Sequence, residues 1–484
     1  MLCSFDKIVR ISQKGDGLFK IEKISMSGKE ILPIIEGGKG IAVSNGVTAG
    51  NWAKFGGIGT FSGVNADYQD ENGKTVIPSY TGKTRLERHM EMIKFAIKGG
   101  ISQAKIAHDI AGHNNGRVHM NVLWEMGGTG EILDGILSKA KNLIHGVTCG
   151  AGLPYKIGEI AAKYGVFYHP IVSSVRAFQA LYKRSFHKVK ELLGSVVYED
   201  PWLAGGHNGI SKAESPDIPE EPYSRVKKLR KVMRDFGLDH IPITMAGGVW
   251  WLNEWKDWIN NLEIGKLAFQ FGSRSLLTKE SPISNAWKRL LVHLKPGDVA
   301  LNKFSPTGFY SSAVNNNFIS ELETGSKRQV KFSSLEERDL DAEFVINDRG
   351  SKVYLSSNDM EQAKKWIGDG YKVALKTPDN TLAFVTEQRS KEISRDRGQC
   401  IGCLSACRFS GWAQNLQNNI LDILPDPRSF CIQKTLQAVA HGGSVENNLV
   451  FAGHKSFRFS EDPFYLNEFI PTIKQLVERI LTGF

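Results

Sequence analysis

Short apolar runs alternate with helix-compatible stretches through the first three quarters of the chain. The runs are ILPIIEG (31–37), GIGTFS (57–62), VHMNVLW (118–124), HGVTC (145–149), VFYHPIV (166–172), SVVYED (195–200), IPITMAG (241–247) and KLAFQFG (266–272). Each is apolar over most of its length, as a strand covered on both faces must be, and each is followed by Gly or a small polar residue before a helical segment begins. Repeated βα units of this kind build a parallel sheet. A doubly wound sheet would give the same local pattern, so it is the count of eight that points to closure. The expected fold class is α/β, a (β/α)8 barrel.

The alternation is interrupted at 63–84 and at 209–224, the latter rich in Pro and Glu, and both inserts read as surface loops near the active end. The pattern changes at about residue 326. A charged joint leads into short strands EFVI and KVYL, a helix DMEQAKKWIGDG, a strand pair around the turn signal TPDNT, and a Cys-containing helical tail. The expected division is a barrel over 1–325 and a smaller α+β unit over 326–484. No repeat other than the βα alternation is present, which excludes solenoids and propellers.

Composition changes this picture little. A hydrophobic share of 41% with ten Trp and 25 Phe is enough for a large core, and a mean hydropathy of −0.25 is that of a globular chain. No apolar run is long enough to span a bilayer, and the opening MLCSFDKIVRISQKGDG lacks the apolar stretch of a secretion signal, so a cytoplasmic protein without membrane partners is expected. The net charge of +10 comes from Lys and Arg scattered among 51 acidic residues, a basic surface rather than the clustered patch of a nucleic-acid binder.

Candidate chemistry gathers where the strands end. Glycine clusters follow the strands at 37–40 (GGKG), 56–57, 150–152, 205–209 (GGHNG), 247–248 and 271–273 (FGS). Loops after barrel strands converge on one rim, and glycines let backbone amides approach a bound ring or phosphate closely. The seventh and eighth strands end in MAGGVW and FQFGSR, which fit the phosphate site of such barrels. Gly247, Gly248, Gly272 and Ser273 would be the donors there, with Arg274 as a charge partner. His207 sits between rim glycines, after a strand ending in Glu199 and Asp200. An imidazole in such a place can take a proton from a carbon acid or hydrogen-bond a developing anion. Asn121, on the third strand, offers both a donor and an acceptor.

These elements together resemble the nitronate monooxygenase (2-nitropropane dioxygenase) family of FMN-dependent barrels, which includes flavin enoyl-reductase relatives. The matching stretches, in family order, are PIIEGGKGIAVS, GGIGTFS, MNVLW, GVTCGAGLP, PIVSSVRA, LAGGHNG, PITMAGGV and FQFGSRSLLTKES, spanning about 30–325. The resemblance implies noncovalent FMN, with its phosphate on Gly247, Gly248, Gly272 and Ser273. Its ring would lie against Gly37, Gly38, Lys39, Asn121, Gln270 and the Gly205–Gly206 pair, with Ser173 lining it and His207 as base or hydrogen-bond donor. It also implies oxidation of a nitronate or nitroalkane by dioxygen to a carbonyl compound and nitrite. Lys39 departs from the family, whose members commonly carry Met there. It either places a cation by the flavin or points to solvent. Pro201 and Trp202 add bulk beside His207 and leave the substrate open.

Six Cys in a chain of this kind do not suggest a disulfide framework. Cys400, Cys403 and Cys407 form C-x2-C-x3-C, with Cys431 as a distant fourth. Three thiolates at this spacing can ligate an iron–sulfur cluster, similar to flavin barrels of the dienoyl-CoA reductase type, or zinc, while one helical face could equally carry them as structural thiols. A cluster would favour the alternative function, an NAD(P)H-dependent flavin reductase acting on a quinone or an enoyl thioester. Either function has a small-molecule substrate, with dioxygen or NAD(P)H as second reactant. The sequence does not fix the oligomeric state.

Overall fold

In the computed structural model, residues 9–11, 19–112, 116–211, 213–346, 350–414 and 420–483 are described. Most of the opening stretch read as lacking a secretion signal, residues 1–8 and 12–17, lies outside them. The eight strands are β1 Ile34–Glu36, β2 Ile58–Ser62, β3 Arg117–Leu123, β4 Gly146–Gly150, β5 Phe167–Val172, β6 Val196–Glu199, β7 Ile243–Ala246 and β8 Leu267–Phe271. All neighbours pair in parallel, and β8 closes on β1 with Phe269 opposite Ile34, so the sheet is a closed barrel. The eight apolar runs therefore form the expected (β/α)8 barrel.

Helix Gly46–Lys54 starts at a reciprocal cap between Asn45 and Thr48. It lies so close to β2 that a Cβ on Gly59 would fall 1.7 Å from the Ala49 carbonyl oxygen. Glycine at that position is what lets the first helix close against the sheet. At the N-terminal end of the barrel, the hairpin Ile24–Met26/Lys29–Ile31 plugs the opening. Its Ser27 Oγ bonds His119 Nε2 (2.9 Å) and His169 Nε2 (3.1 Å), and His169 Nδ1 reaches Ser195 Oγ at 2.8 Å. All four side chains are buried. Burial holds both imidazoles below their usual range, His169 near about 3.

Beyond the barrel, strands Gln329–Lys331, Thr381–Val385 and Val373–Lys376 form an antiparallel sheet under helix Ser357–Gly368. That segment has its own core around Val353, Leu355, Leu382 and Phe384. The chain then returns to the barrel. Helix Ile473–Thr482 buries Ile473, Leu476, Val477 and Ile480 in the barrel's own core. The C-x2-C-x3-C segment is a loop ending in strand Ala406–Cys407, not the helical tail expected, because Gly402 adopts φ +64° and breaks the run. Among the described residues no helix is long and apolar enough to cross a membrane.

Candidate active site

The rim loops enclose a cavity of about 240 Å³. Gly37, Gly38 and Lys39 enter it after β1, Asn121 from β3, and Gln270 from β8. The loops after β6, β7 and β8 bring Gly205, Gly206, His207, Gly247, Gly248, Gly272 and Ser273. The glycines are structural requirements. A Cβ on Gly38 would come within 2.3 Å of the Asn121 Cβ. Gly247 and Gly248 both take φ values, +87° and +75°, that disfavour any side chain.

The turn that presents His207 begins at Asp200, whose Oδ1 accepts from the Trp202 and Leu203 amides at 3.0 Å each. The strand pair Gly206–His207 then adds antiparallel to Ser311–Val314. His207 Nε2 lies 2.6 Å from Ser305 Oγ, which is 2.8 Å from Thr307 Oγ1, and Phe451 packs edge-on at 5.3 Å. Burial lowers the imidazole to about 4, so it is neutral near pH 7. At the end of β6, Glu199 also lines the cavity. Burial, reinforced by Asp200, raises its carboxyl to about 8. The cavity thus carries a protonated acid and an unprotonated base at the same pH, a separation typical of acid–base pairs.

Several expected site residues are placed otherwise. Ser173 is not on the cavity wall; its Oγ donates to the Gly209 carbonyl at 2.8 Å and fixes the insert. The Arg274 guanidinium turns from the phosphate position to Asp462 (3.6 Å), the Trp250 carbonyl and the Trp251 ring. Lys39 does not point to solvent. Its Nζ meets the Gly37 carbonyl (2.5 Å), Ser275 Oγ (2.8 Å) and the buried Glu36 (3.4 Å), and burial lowers its pKa. Trp202 packs away from the cavity under the insert, donating to the Ser215 carbonyl with Arg225 against its ring.

The cysteines also depart from expectation. Only Cys403 reaches the cavity, and all four are free thiols, with Cys400 and Cys407 in the core beside it. Burial first, and the neighbouring thiols second, push the Cys403 thiol up, and burial takes Cys431 to about 12. Among the described residues no group of three or more His, Cys, Asp or Glu is arranged to hold a metal ion. Cys400, Cys407 and Cys431 all lie near enough to act on the charge of Cys403, so the four thiols share one region beside the cavity.

The chain matches the family model described as nitronate monooxygenase over residues 26–378. The chain belongs to the nitronate monooxygenase family. As a member of that family it is an FMN-dependent oxidoreductase acting on a small molecule. No curated protein matches it in sequence. Among solved structures, the enoyl reductase domain of MlnA from Bacillus amyloliquefaciens has a TM-score of 0.51 at 12% identity, covering 93% of each chain. The nitroalkane oxidase of Streptomyces ansochromogenes has a TM-score of 0.43 at 16% identity, covering 60% of this chain and 78% of that one. FabK from Thermotoga maritima has a TM-score of 0.40 at 16% identity, covering 60% and 74%.

The nitronate monooxygenase match ends at residue 378, yet the cavity wall does not. Gln433, Leu436, Phe451, Gly453, Lys455 and Ser456 close it from the C-terminal unit. Sequence reasoning missed them, as it missed Ser305. The only available signal was the Gly-His-Lys-Ser stretch at 453–456, which has no strand before it to mark it as a rim loop.

Proposed function

We propose that this flavoenzyme reduces the activated alkene of an enoyl thioester, with NAD(P)H as electron donor. One observation carries the reading: one cavity is lined both by a carboxyl, Glu199, that burial raises to about 8 and by His207, which burial lowers to about 4. Reduction of such an alkene needs a hydride at the β-carbon and a proton at the α-carbon, and oxidation of a nitronate needs no acid. The likeness to a domain named an enoyl reductase, which covers 93% of this chain at 12% identity, supports the same choice.

In this reading FMN, when bound, supplies the hydride chemistry. Gly247, Gly248, Gly272 and Ser273 would hold its phosphate. The open space where a Cβ on Gly272 would project fits a group seated against that backbone. Gly37, Gly38, Asn121 and Gln270 would face the ring. Glu199 would deliver the proton to the α-carbon, leaving a carboxylate that solvent reprotonates. His207, held by Ser305, would hydrogen-bond the thioester carbonyl oxygen as negative charge develops there. Leu203, Val249 and Leu436 on the wall exclude water from the reacting carbons.

Nitronate oxidation by dioxygen is the second reading, favoured by the unprotonated His207, which could accept a proton from a nitroalkane. Turnover of crotonyl pantetheine with NADPH in D2O separates the two. The enoyl reading expects a butyryl thioester with one deuterium at the α-carbon. Nitrite from a nitroalkane, with no butyryl product, would reject it.

A further inference from the structure

The loops after β6 and β8 touch a third loop at this cavity, that of residues 452–456. The amide of Gly453 donates to Ser273 Oγ at 2.8 Å, and the next amide, that of His454, donates to the Leu203 carbonyl at 3.1 Å. A Cβ on Gly453 would sit 3.0 Å from the Leu203 oxygen and 3.2 Å from Ser273 Oγ, so the C-terminal loop lies directly on the loops after β6 and β8. Two residues on, Lys455 and Ser456 line the same cavity. Ser456 is 1% exposed, and its hydroxyl has no hydrogen-bond partner. A buried hydroxyl left unpaired is costly, and a ligand oxygen would recover that cost.

Charge points to the same residues. An FMN phosphate brings nearly two negative charges near neutral pH. The other two cations on this side of the cavity are engaged. Arg274 is turned to Asp462, and Lys39 is tied to Glu36, the Gly37 carbonyl and Ser275. Lys455 is half-buried on the wall, and among the described residues no carboxylate pairs with it within ion-pair distance.

We propose that the C-terminal loop completes the FMN phosphate site, with Lys455 supplying the countercharge and Ser456 a hydrogen bond. This rests on the reading of the cavity as an FMN site. The C-terminal unit is then part of the cofactor site, and the barrel's glycine loops alone bind the phosphate weakly.

The test titrates deflavinated full-length protein with FMN and with riboflavin, which lacks the phosphate, following flavin fluorescence. Lys455→Met weakens FMN binding by about tenfold or more, a charge-assisted hydrogen bond's worth, and leaves the riboflavin Kd unchanged. Lys455→Arg keeps FMN binding within a few-fold, and Ser456→Ala costs a smaller factor for FMN alone. An FMN-to-riboflavin affinity ratio that is the same in wild type and Lys455→Met overturns the proposal, as does loss of both ligands in a Lys455→Met protein that keeps its wild-type circular dichroism. Failure of the wild-type protein to bind either flavin would instead overturn the FMN reading itself.

Discussion

Replacing Glu199 by Gln removes the one side chain on the cavity wall whose proton the proposed reduction needs. The carboxyl is raised from 4.5 to about 8 by burial and by Asp200. An ordinary carboxyl would be protonated in only about 0.3% of molecules at pH 7, whereas this one is protonated in about 90%, a gain of roughly 300-fold in the competent form. Two measurements read this out. Stopped-flow reoxidation of the NADPH-reduced holoprotein by crotonyl pantetheine should be flat at acid and neutral pH and fall as the pH rises through about 8. In Glu199→Gln the limb should vanish and the rate drop by about 10²–10³, while flavin reduction by NADPH is unchanged. Stability moves the other way. The native state binds a proton that the unfolded chain releases above 4.5, so the carboxyl costs increasing stability as the pH rises from there to about 8, and the full cost remains above it. At pH 7 the Gln variant should therefore be more stable by about 3 kcal/mol in urea, with the difference vanishing near pH 4.5. A basic limb that persists in the Gln variant, or an unaltered reoxidation rate, would refute the assignment.

Three further outcomes follow from the geometry. His169, held near about 3 in the barrel and titrating near 6.5 when unfolded, contributes stability that is present above about pH 6.5 and lost as the pH falls toward 3. Urea unfolding should show wild type losing about 1.4 kcal/mol more than His169→Gln between about pH 7.5 and 5.5, and equal losses would contradict the burial argument. Asp462→Ala strands Arg274 and Arg479 and frees the Trp250 indole that donates to it at 3.1 Å. The cost should be about 3–5 kcal/mol, and a loss under about 1 kcal/mol would mean that the buried pairs carry little. Gly38→Ala drives a methyl group into Asn121 and should abolish flavin binding while leaving the far-ultraviolet circular dichroism intact; retained yellow colour would show that the loop yields.

The barrel was legible in the sequence because its strands, buried on both faces, read as short continuous apolar runs, and because there are eight of them in regular alternation with helical stretches. Twelve of the thirteen residues expected around the flavin line one cavity, since each lies on a barrel strand or in a loop after one and the rim collects them. What could not be read were contacts between distant parts of the chain. Nothing near Ser273 announces that the Gly453 amide, 180 residues on, will donate to its hydroxyl. Arg274 looks like a phosphate ligand until Asp462 takes its charge, and Ser173 looks like a ring contact until the Gly209 carbonyl takes its hydroxyl. Glu199 was visible only as the acidic end of a strand. Its proton depends on burial and on the neighbouring Asp200, and the extent of that burial is set by the fold as a whole. The cysteine spacing suggested a ligand set, but the left-handed turn at Gly402 and the packing of Cys400 and Cys407 into the core decide where the thiols point.

The most direct test of the central claim mixes the flavin-loaded protein anaerobically with each candidate substrate and follows the flavin's visible absorbance. An FMN-dependent enoyl reductase is bleached by NADPH, recovers its colour when crotonyl pantetheine is added, and is left unchanged by a nitronate. Bleaching of the oxidised protein by the nitronate, with no recovery of the reduced protein on adding the thioester, would contradict the account.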